Sequence, residues 1–566
     1  MIADTEHVAR GSLLQALSTP AVVDSAFPIL TPAQIARVAG HGATHSVKPG
    51  EVLVAAGVYN SRFFVVVSGE IEVVRTTNDV ETLVTVHTAG KFTGEVNMLS
   101  GRPSLVTIRV SQAGEVIELD RDHLLELVQT DDELGEIIMR AFILRRIALI
   151  DQHVSDVVLV GSNHSPGTLR IREFLTRNGH PYTNLDLDRD SDAQELLDRL
   201  KFDITDVPVL ISGRTVMLRN PTNQQIAFNL GFNESIDQRQ VRDMVVIGAG
   251  PAGLAAAVFG ASEGLDVLVV EPNAPGGQAG SSSKIENYLG FPLGISGQKL
   301  AAAAYMQSQK FGAKFLISQE ATDLSCDRKP YTLQVDADVR IAGRVVVIAT
   351  GARYIRLPVE GMDRFNDAGV YYGATFIEAQ LCRDEEVIVV GGGNSAGQAA
   401  VFLAQHAKHV HMIVRARGLA DTMSRYLVRR IEESPDITLH SQTEVTRVDG
   451  DNHLERVVWL NRGSGESEQR DIRHIFVMCG AVPSTSWLNG CVVMDDRKFI
   501  KTGPDITADE LRSAEWPLAR SPYLLETSLP GVFAVGDVRS GNVKRVASAV
   551  GEGSIAVSFV HQALRE

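Results

Sequence analysis

Three glycines and a later carboxylate form the first pattern in this chain that could do chemistry. Gly248, Gly250 and Gly253 follow the apolar run MVVI and precede an alanine-rich segment. In such a turn the first glycine permits a tight bend, the second lets the backbone approach a pyrophosphate, and the third lets helix and strand pack closely. Glu271 ends the next apolar run, where a carboxylate accepts hydrogen bonds from a ribose. The pattern predicts a dinucleotide site at a helix N-terminus.

A second glycine turn lies further along the chain. The segment EEVIVVGGGNSAGQAAVFLA repeats the order of strand, turn and helix, with Gly391, Gly393 and Ala396 at the spaced positions. The next apolar run is followed by Arg415 and Arg417 instead of an acidic residue. Positive charge at this place favours a ribose 2′-phosphate over a bare diol. We therefore expect NADPH rather than NADH, although arginines that only meet solvent would give the same spacing.

Two dinucleotide folds in one chain, the second inserted into the first, resemble the thioredoxin reductase family over residues 242–566. Further matches are PGGQ at 275–278, ENY at 286–288, ATGA at 349–352, PGVFAVGD at 530–537 and KRVA at 544–547. In that family these segments surround a flavin, and the last aspartate of the 530–537 motif binds its ribityl chain. The resemblance implies an FAD site made by Gly248, Gly250, Pro251, Ala252, Gly253, Glu271, Gly276, Gly277, Gln278, Asn287, Thr350, Gly351, Ala352, Gly536, Asp537, Arg545, Val546 and Ala547. It implies an NADPH site made by Gly391, Gly393, Asn394, Ser395, Ala396 and Arg415.

The chain departs from that family where the redox dithiol should be. Thioredoxin reductases carry C-x-x-C just before the nicotinamide fingerprint, whereas here Gly373 and Phe376 fill both cysteine positions. The family also contains ferredoxin–NADP reductases without the dithiol, so this loss does not imply loss of activity. The flavin itself carries the expected chemistry, the catalytic side chains stay unknown, and no side chain need act as an acid-base catalyst for flavin reduction. Electrons would then pass to a quinone, oxygen, ferredoxin, flavodoxin or an external disulfide. Cys382 is either a lone redox thiol or, more simply, a small buried hydrophobe.

The N-terminal quarter contains short valine- and isoleucine-rich runs separated by glycine turns, which predicts an all-β roll. KPGEVLVAAG, FFVVVSGEIEV and FTGEVNMLSGRPSLVTIRV resemble the cyclic nucleotide-binding domain. In that family a Gly-Glu turn binds the ribose and a following arginine binds the phosphate. Gly94 and Glu95 match the turn, but Ser104 takes the place of the arginine and Arg102 comes two residues early. Cyclic nucleotide binding and a degenerate roll used for dimerisation or partner contact both stay open.

A helical stripe of apolar residues follows the roll. It packs either on the roll itself or against a second copy of the chain. The stripe is formed by Leu134, Ile137, Ala141, Leu144 and Ala148.

Residues 155–232 follow the order β-α-β-α-β-β, which suggests a small α/β domain. They resemble the thioredoxin and glutaredoxin fold, with Val207-Pro208 at the place of that family's cis-proline. Its chemistry needs a dithiol at the first strand-to-helix turn, where the helix N-terminus lowers the thiol pKa. Residues 162–167 contain no sulfur. We therefore expect a docking or spacer module rather than a thiol oxidoreductase.

Composition excludes several classes of protein. Lys+Arg is 54 against Asp+Glu 69, a net charge of −15, which disfavours a nucleic-acid binder. Four cysteines without a C-x-x-C argue against a disulfide framework and against a metal site. The start lacks the pattern of a signal peptide, and the apolar segment 244–261 fits strand, turn and helix better than a membrane span. We expect a cytoplasmic protein, without a membrane span, that forms a homodimer.

The predicted fold class is a multidomain chain with a β-roll, a thioredoxin-like α/β domain and two Rossmann-like dinucleotide-binding domains. The predicted boundaries are 1–153 for the roll with its C-terminal helix, 154–238 for the thioredoxin-like domain, 239–354 with 480–566 for the FAD domain, and 355–479 for the NADPH domain. The expected function is transfer of hydride from NADPH to FAD and on to an acceptor, without an internal dithiol. The alternative is a redox- or cyclic-nucleotide-responsive sensor within a regulatory complex.

Overall fold

A computed structural model describes residues 20–566 apart from 60–61, 78–79, 95–97, 99–102, 105, 152–156, 163–164, 189–196, 198–201, 203–205, 213–215, 234–235, 283, 367, 375, 421, 452 and 489. The expected fold class is confirmed: a β-roll precedes a small α/β region and two dinucleotide-type α/β regions. The proposed domain boundaries remain predictions.

The N-terminal region is a roll of five strands in the order β1-β5-β3-β4, with β2 paired to β5. The rings of Phe63, Phe92 and Phe142 meet in its core, with centroids 5.5–6.4 Å apart. The helical stripe packs on this roll, since Leu134 and Ala141 of α4 are fully buried in the same core. The elements are α1 (Pro20–Ala26), α2 (Pro32–Ala39), β1 (Ala43–Val47), β2 (Val52–Val54), β3 (Phe63–Thr77), β4 (Val80–His87), β5 (Thr107–Leu119), α3 (Arg121–Thr130) and α4 (Asp132–Asp151).

The second region has a mixed sheet in the order β7-β6-β8-β9, with β6 parallel to β7 and antiparallel to β8. The expected terminal hairpin is confirmed by the antiparallel pairing of Leu210 with Leu218. The Val207-Pro208 peptide bond is cis, as expected. The helix predicted after β7 falls mostly outside the described residues. The elements are β6 (Val157–Gly161), α5 (Pro166–Arg177), β7 (Thr183–Asp186), β8 (Val209–Ser212), β9 (Val216–Arg219) and α6 (Asn223–Asn229).

The third region is built from two separate stretches of chain around one sheet, in the order β12-β11-β10-β15-β14-β13, with β26 paired to β15. Strands β10, β11, β12, β15 and β26 run parallel, so their carboxyl ends meet at one edge. The first stretch contains β10 (Val241–Ile247), α7 (Pro251–Ser262), β11 (Val267–Glu271), α8 (Gly277–Gly280), α9 (Gly297–Lys310), β12 (Lys314–Ile317), β13 (Ala321–Ser325), β14 (Tyr331–Val335), β15 (Val339–Ile348) and β16 (Ala352–Tyr354).

The fourth region is inserted between those stretches and has a parallel sheet in the order β17-β24-β18-β19-β20, beside the meander β21-β22-β23. Strands β16 and β25 pair where the chain enters and leaves it. Its elements, in chain order, are β17 (Val370–Tyr371), α10 (Phe376–Leu381), β18 (Glu386–Val390), α11 (Asn394–Leu403), β19 (His409–Ile413), α12 (Arg425–Glu432), β20 (Ile437–His440), β21 (Thr443–Asp449), β22 (Arg456–Asn461), β23 (Ser467–Arg470), β24 (His474–Val477) and β25 (Ala481–Pro483). The third region then resumes with α13 (Ala508–Ser513), β26 (Val532–Ala534) and α14 (Val546–Ala563).

The structure contains a disulfide, although four cysteines in so long a chain argued against a disulfide framework. Cys326 and Cys491 form a disulfide with a Cα–Cα distance of 6.0 Å across a sequence separation of 165. Spacing could not reveal this pair, because one cysteine follows β13 and the other follows β25, on opposite sides of the inserted region. The bond joins the two stretches of the third region.

Among the described residues, none of the helices combines the length and apolar character that a membrane crossing requires. In the same part of the chain, no group of three or more His, Cys, Asp or Glu side chains could hold a metal ion.

Candidate functional site

The first glycine turn joins β10 to α7 at the carboxyl edge of the third region's sheet. Gly248 has a φ of 101°, and a Cβ there would collide with the Ala349 carbonyl. A Cβ on Gly253 would collide with the Gly248 carbonyl, so this position needs glycine for the helix to pack. A Cβ on Gly250 would have only the Gly277 Cα within 4 Å, at 3.9 Å. The turn therefore leaves open space in front of the N-terminus of α7, as a phosphate site requires.

Glu271 at the end of β11 is buried and tied to the turn beside it. Its Oε2 accepts a hydrogen bond from Ala249 N at 2.7 Å, and its Oε1 accepts from Asn273 N at 2.9 Å and Ala274 N at 3.1 Å. Burial raises the pKa of Glu271, against the lowering effect of these donors and of the Arg177 cation. Because each carboxylate oxygen has two acceptor sites, the oriented group can still accept from a ribose.

The segment after Glu271 folds back over the glycine turn. Gly276 N donates to Ala249 O at 2.7 Å, and a Cβ on Gly277 would approach Gly250 Cα to 2.9 Å. The Gln278 side chain donates to the Ala352 carbonyl. The structure thus brings 276–278 together with the first turn, as expected. Asn287, from the same sequence motif, is exposed.

The C-terminal stretch completes this edge of the sheet. Thr350 Oγ1 donates to Ser484 O at 2.8 Å, just before Gly351 and Ala352. Gly536 follows β26, and a Cβ there would lie 2.9 Å from Ala252 Cβ. Asp537 is half-buried, and burial and Glu552 raise its pKa while Lys544 opposes them.

Helix α14 begins beside this edge. Arg545 is its N-cap, and Val546 and Ala547 form its first turn. A Cβ on Gly553 would collide with the Ala252 carbonyl, so α14 packs directly on α7. The predicted residues 545–547 therefore lie at a helix N-terminus held against the helix that follows the first turn.

The second glycine turn joins β18 to α11 in the inserted region. Gly391 has a φ of 141°, and a Cβ there would collide with the Met478 carbonyl. A Cβ on Gly393 would meet nothing within 4 Å, while Ala396 is fully buried. Asn394 Oδ1 accepts from Ser424 N at 2.7 Å and Ser424 Oγ at 2.9 Å. The turn again leaves open space before a helix N-terminus.

Arg415 and Arg417 are exposed after β19, at the same edge of the sheet as the second turn. The Arg415 cation opposes the effect of burial, which raises the pKa of the Cys479 thiol. A guanidinium at this place is available to a phosphate ligand.

Two contacts that sequence patterns did not indicate join the inserted region to the third region. Arg430 Nη1 of α12 pairs with Glu286 Oε2 at 3.0 Å. The Tyr354 hydroxyl shares a hydrogen bond with Ser395, and burial raises the pKa of Tyr354. The second contact reaches Ser395 at the start of α11, directly after the second glycine turn.

Positions 373 and 376, where the resemblance predicts the dithiol, carry glycine and phenylalanine, and the next cysteine along the chain is buried. A Cβ on Gly373 would lie 3.7 Å from Ser281 Oγ, so this position faces the segment that follows 276–278. Cys382 is fully buried, and burial raises the pKa of its thiol to about 12. A thiol with so high a pKa is a poor nucleophile. The interpretation of Cys382 as a small buried hydrophobe is the one that its surroundings favour.

Two neighbouring histidines, the buried His411 and the half-buried His440, are expected to make the stability of the inserted region depend on pH. His411 Nδ1 lies 3.0 Å from His440 Nε2, and both rings contact Trp459. Burial lowers the pKa of both histidines; Glu386 opposes this for His411 and Glu468 opposes it for His440, whereas His409 and Arg470 add to it. The unfolded chain therefore binds more protons, and stability is lost as pH falls through about 6.5, at up to about 1.4 kcal/mol per pH unit for each histidine.

We expect H440F to reduce this acid sensitivity, measured as the thermal midpoint by tryptophan fluorescence between pH 8 and pH 5. H123Q serves as control because His123 lies at an exposed helix start of the β-roll. Equal acid sensitivity of H440F and the unmodified chain would contradict the assignment.

In the β-roll the structure describes only half of the expected nucleotide turn. Gly94 has a φ of 101°, and its carbonyl accepts from Arg145 Nη1 at 2.8 Å. The Arg145 guanidinium also lies 4.8 Å from the centroid of the Phe92 ring. Glu95 and Arg102 lie outside the described residues. Arg145 of α4 was not singled out from the sequence, because only the folded chain brings it to the turn.

The end of α5 contacts both neighbouring regions. Arg146 Nη2 of α4 donates to the Gly179 carbonyl. Arg177 Nη2 donates to Gly277 O at 2.8 Å, in the segment that covers the first glycine turn. The roll therefore contacts the second region through Arg146, and the second region contacts the third region through Arg177.

Comparisons with known proteins agree with this arrangement. Residues 242–553 match the family model described as pyridine nucleotide-disulphide oxidoreductase, and residues 44–131 match the cyclic nucleotide-binding domain. Thioredoxin reductase of Ureaplasma parvum is 31% identical over 57% of this chain and 97% of its own length. Thioredoxin reductase of Mycolicibacterium smegmatis is 31% identical over 56% and 94%. The crystal structure of Lactococcus lactis thioredoxin reductase matches with a TM-score of 0.51 and 26% identity, over 57% of this chain and 99% of that one.

FAD and NADPH are the cofactors of the thioredoxin reductase family. The two turns fit such ligands, because the space in front of Gly250 and Gly393 is open where a side chain would fill it. The chain belongs to the pyridine nucleotide-disulphide oxidoreductases, as a thioredoxin reductase-like enzyme with an N-terminal cyclic nucleotide-binding domain.

Proposed function

We propose that this enzyme takes electrons from NADPH through FAD and delivers them to an acceptor that reaches the flavin directly. The observation that carries the proposal is the combination of two open glycine turns with Gly373 and Phe376 at the dithiol positions. When bound, FAD supplies the two-electron chemistry, and the protein supplies binding and orientation. An external disulfide, a ferredoxin or flavodoxin, a quinone and oxygen are the candidate acceptors.

Each group of residues has a distinct part in this proposal. The turn at Gly248–Gly253 and the N-terminus of α7 bind the FAD pyrophosphate, while Glu271 accepts from the ribose. The flavin is enclosed by segment 276–278 with Asn287, by segment 350–352 and by the start of α14. Asp537 accepts a hydrogen bond from the ribityl chain.

The NADPH site of the proposal lies at the second turn. Gly391, Gly393 and Ala396 shape the turn, and Asn394 and Ser395 present N–H groups of the first turn of α11 to the pyrophosphate. A homodimer in the cytoplasm remains a prediction.

An anaerobic titration tests the proposal. Stoichiometric bleaching of the oxidised-flavin band by NADPH, and much slower bleaching by NADH, is the expected result. A bound flavin that neither nucleotide reduces would contradict it. Thioredoxin, ferredoxin, quinone and oxygen, added separately to the reduced enzyme, then identify the acceptor by the rate at which the band returns.

We expect Arg415→Ala to weaken the preference for NADPH over NADH. An arginine that binds a phosphate makes charge-assisted hydrogen bonds, whose loss lowers affinity about ten- to hundredfold. The measurement is the concentration of each nucleotide that half-saturates flavin bleaching. R429A is the control, because Arg429 is an exposed arginine of α12 whose partner is Glu433. An unchanged ratio in R415A would assign the 2′-phosphate to another residue.

We also propose that a cyclic nucleotide bound by the roll regulates the enzyme. The contacts of Arg145 with Gly94, Arg146 with Gly179 and Arg177 with Gly277 favour this candidate. These contacts connect the nucleotide turn to the FAD site through neighbouring residues of two helices.

Cyclic AMP or cyclic GMP at millimolar concentration is expected to change both the thermal midpoint and the rate of flavin reduction. Glu95→Ala should remove both effects, whereas Arg146→Ala should keep the nucleotide-dependent shift in midpoint and lose the change in rate. No response of the unmodified chain to either nucleotide would reject regulation by the roll.

A further inference from the structure

Helix α5 of the second region ends against the segment that covers the first glycine turn. Arg177 Nη2 donates to Gly277 O at 2.8 Å, with the Arg177 side chain only 14% exposed. From the other direction, Gln298 Nε2 of α9 donates to Thr176 O at 2.9 Å. Asn223 Nδ2 of α6 contacts Asn273 Oδ1 at 3.2 Å. Several hydrogen bonds thus join the second region to residues 273–298.

The covering segment is held by a small number of hydrogen bonds, among them Gly276 N to Ala249 O at 2.7 Å and the Gln278 side chain to the Ala352 carbonyl. Gly276 and Gly277 have positive φ values of 107° and 53°, a backbone conformation that favours glycine, and as glycines they have no side chain to anchor the loop. One end is bound through Glu271, which accepts from Asn273 N and Ala274 N. Near the other end Arg177 binds the carbonyl of Gly277 and is the contact that the second region contributes.

Arg177 also places a positive charge close to the buried Glu271 carboxylate. Its cation favours the ionised form of the buried Glu271 carboxylate. A buried carboxylate is costly unless a charge partner or hydrogen bonds compensate it. A dinucleotide adds a pyrophosphate in front of the nearby Gly250 turn, so the same guanidinium favours the loaded site.

The second region is a fixed part of this assembly rather than a tethered module. Phe174 and Phe232 stack at 5.8 Å in a core continuous with that of α7 and the third region's sheet. The side-chain amide of Asn233 donates through Nδ2 to Ile317 O at 2.9 Å and accepts at Oδ1 from Ile317 N at 2.6 Å. The amide thus satisfies the edge strand β12 as the backbone of a neighbouring strand would. Moving this region would break the core and the sheet edge together.

We propose that the thioredoxin-like region is a structural component of the FAD site, with Arg177 as the positioning residue that holds the covering segment over the pyrophosphate turn. The inference rests on the proposed FAD site and adds a role for a region that has no redox sulfur at its first turn. Arg177 does not act on the reacting atoms. It sets the geometry and charge of the loop that encloses the dinucleotide.

The test compares Arg177→Ala with Glu173→Gln in the full-length chain. Glu173 pairs with Arg177 at 3.2 Å, so E173Q disturbs the same helix end but keeps the guanidinium on Gly277. The readouts are the FAD-to-protein ratio after purification and the dissociation constant of FAD for the deflavinated chain, from quenching of flavin fluorescence. Circular dichroism and gel filtration check that each variant is folded.

We expect R177A to raise the FAD dissociation constant about tenfold or more, as loss of a charge-assisted hydrogen bond does, with E173Q close to the unmodified chain. A folded R177A with unchanged FAD affinity would overturn the inference. If R177A does not fold, R177Q takes its place, because it keeps a polar side chain but removes the positive charge, and unchanged FAD affinity in R177Q would likewise reject the role. If the unmodified chain itself binds no FAD, the proposed function fails rather than this inference.

Discussion

Gly393→Val should abolish flavin reduction by NADPH while leaving the fold and the bound FAD intact. A Cβ at this position meets nothing within 4 Å, and the backbone has an extended φ of −93°, so valine enters the turn without strain. The open space is where a pyrophosphate would approach the N-terminus of α11, and a branched side chain would occupy it. We expect the rate of bleaching by NADPH to fall at least about a hundredfold, because several hydrogen bonds to charged phosphates are lost.

Two controls isolate the effect on NADPH. Chemical reduction by dithionite needs no nucleotide and should bleach the variant's flavin as in the unmodified chain. Gly551→Val adds the same side chain to α14, where a Cβ also meets nothing within 4 Å, and should reduce normally. Normal bleaching of G393V by NADPH would show that the nucleotide does not use the second turn.

Loss of the Cys326–Cys491 bond should give the largest fall in stability among the cysteine substitutions. The bond closes a loop with a sequence separation of 165 that contains the whole inserted region. Cross-linking so long a loop restricts the unfolded chain, and removal of such a disulfide costs about 2–5 kcal/mol. We expect Cys491→Ser to lower the urea midpoint of unfolding by a corresponding amount.

The reductant response identifies the bond as the cause. A phosphine reductant should lower the urea midpoint of the unmodified chain and leave C491S unchanged. Cys479→Ser is the matched control, because Cys479 is a half-buried free cysteine, and it should keep the response to reductant. Four alkylated thiols after alkylation of the unreduced chain in urea, found by intact mass, would contradict the assignment.

The expected fold class and both glycine turns could be predicted because their determinants lie in contiguous residues. Gly253 is required by a contact within one strand-turn-helix unit, with the Gly248 carbonyl, so the spacing alone determines which backbones meet. Gly248 and Gly391 were predicted from the same local motif, although the carbonyls that crowd them, Ala349 and Met478, follow neighbouring strands. The hairpin at Leu210 and Leu218 was likewise visible as two apolar runs on either side of a turn.

Sequence motifs could not show which side chains of each site are exposed and which are held by other residues. Asn287 belongs to the same resemblance as Gln278, yet it is exposed whereas the Gln278 side chain is held by Ala352. Asn394 was grouped with NADPH, and its side-chain oxygen accepts from Ser424 instead. A motif specifies the backbone path, but the partners of its side chains come from segments distant in the chain.

By itself, the sequence determined the two dinucleotide folds, the expected cofactors, the absence of sulfur at positions 373 and 376, and the cyclic nucleotide-binding resemblance. Only the tertiary structure decided that Cys326 meets Cys491, that Arg177 holds Gly277, and that α4 packs on its own roll. The physical reason is the distance along the chain over which each interaction acts. Turn geometry and hydrophobic period act over a few neighbouring residues, whereas a disulfide, a buried guanidinium and a shared core depend on how whole regions pack together.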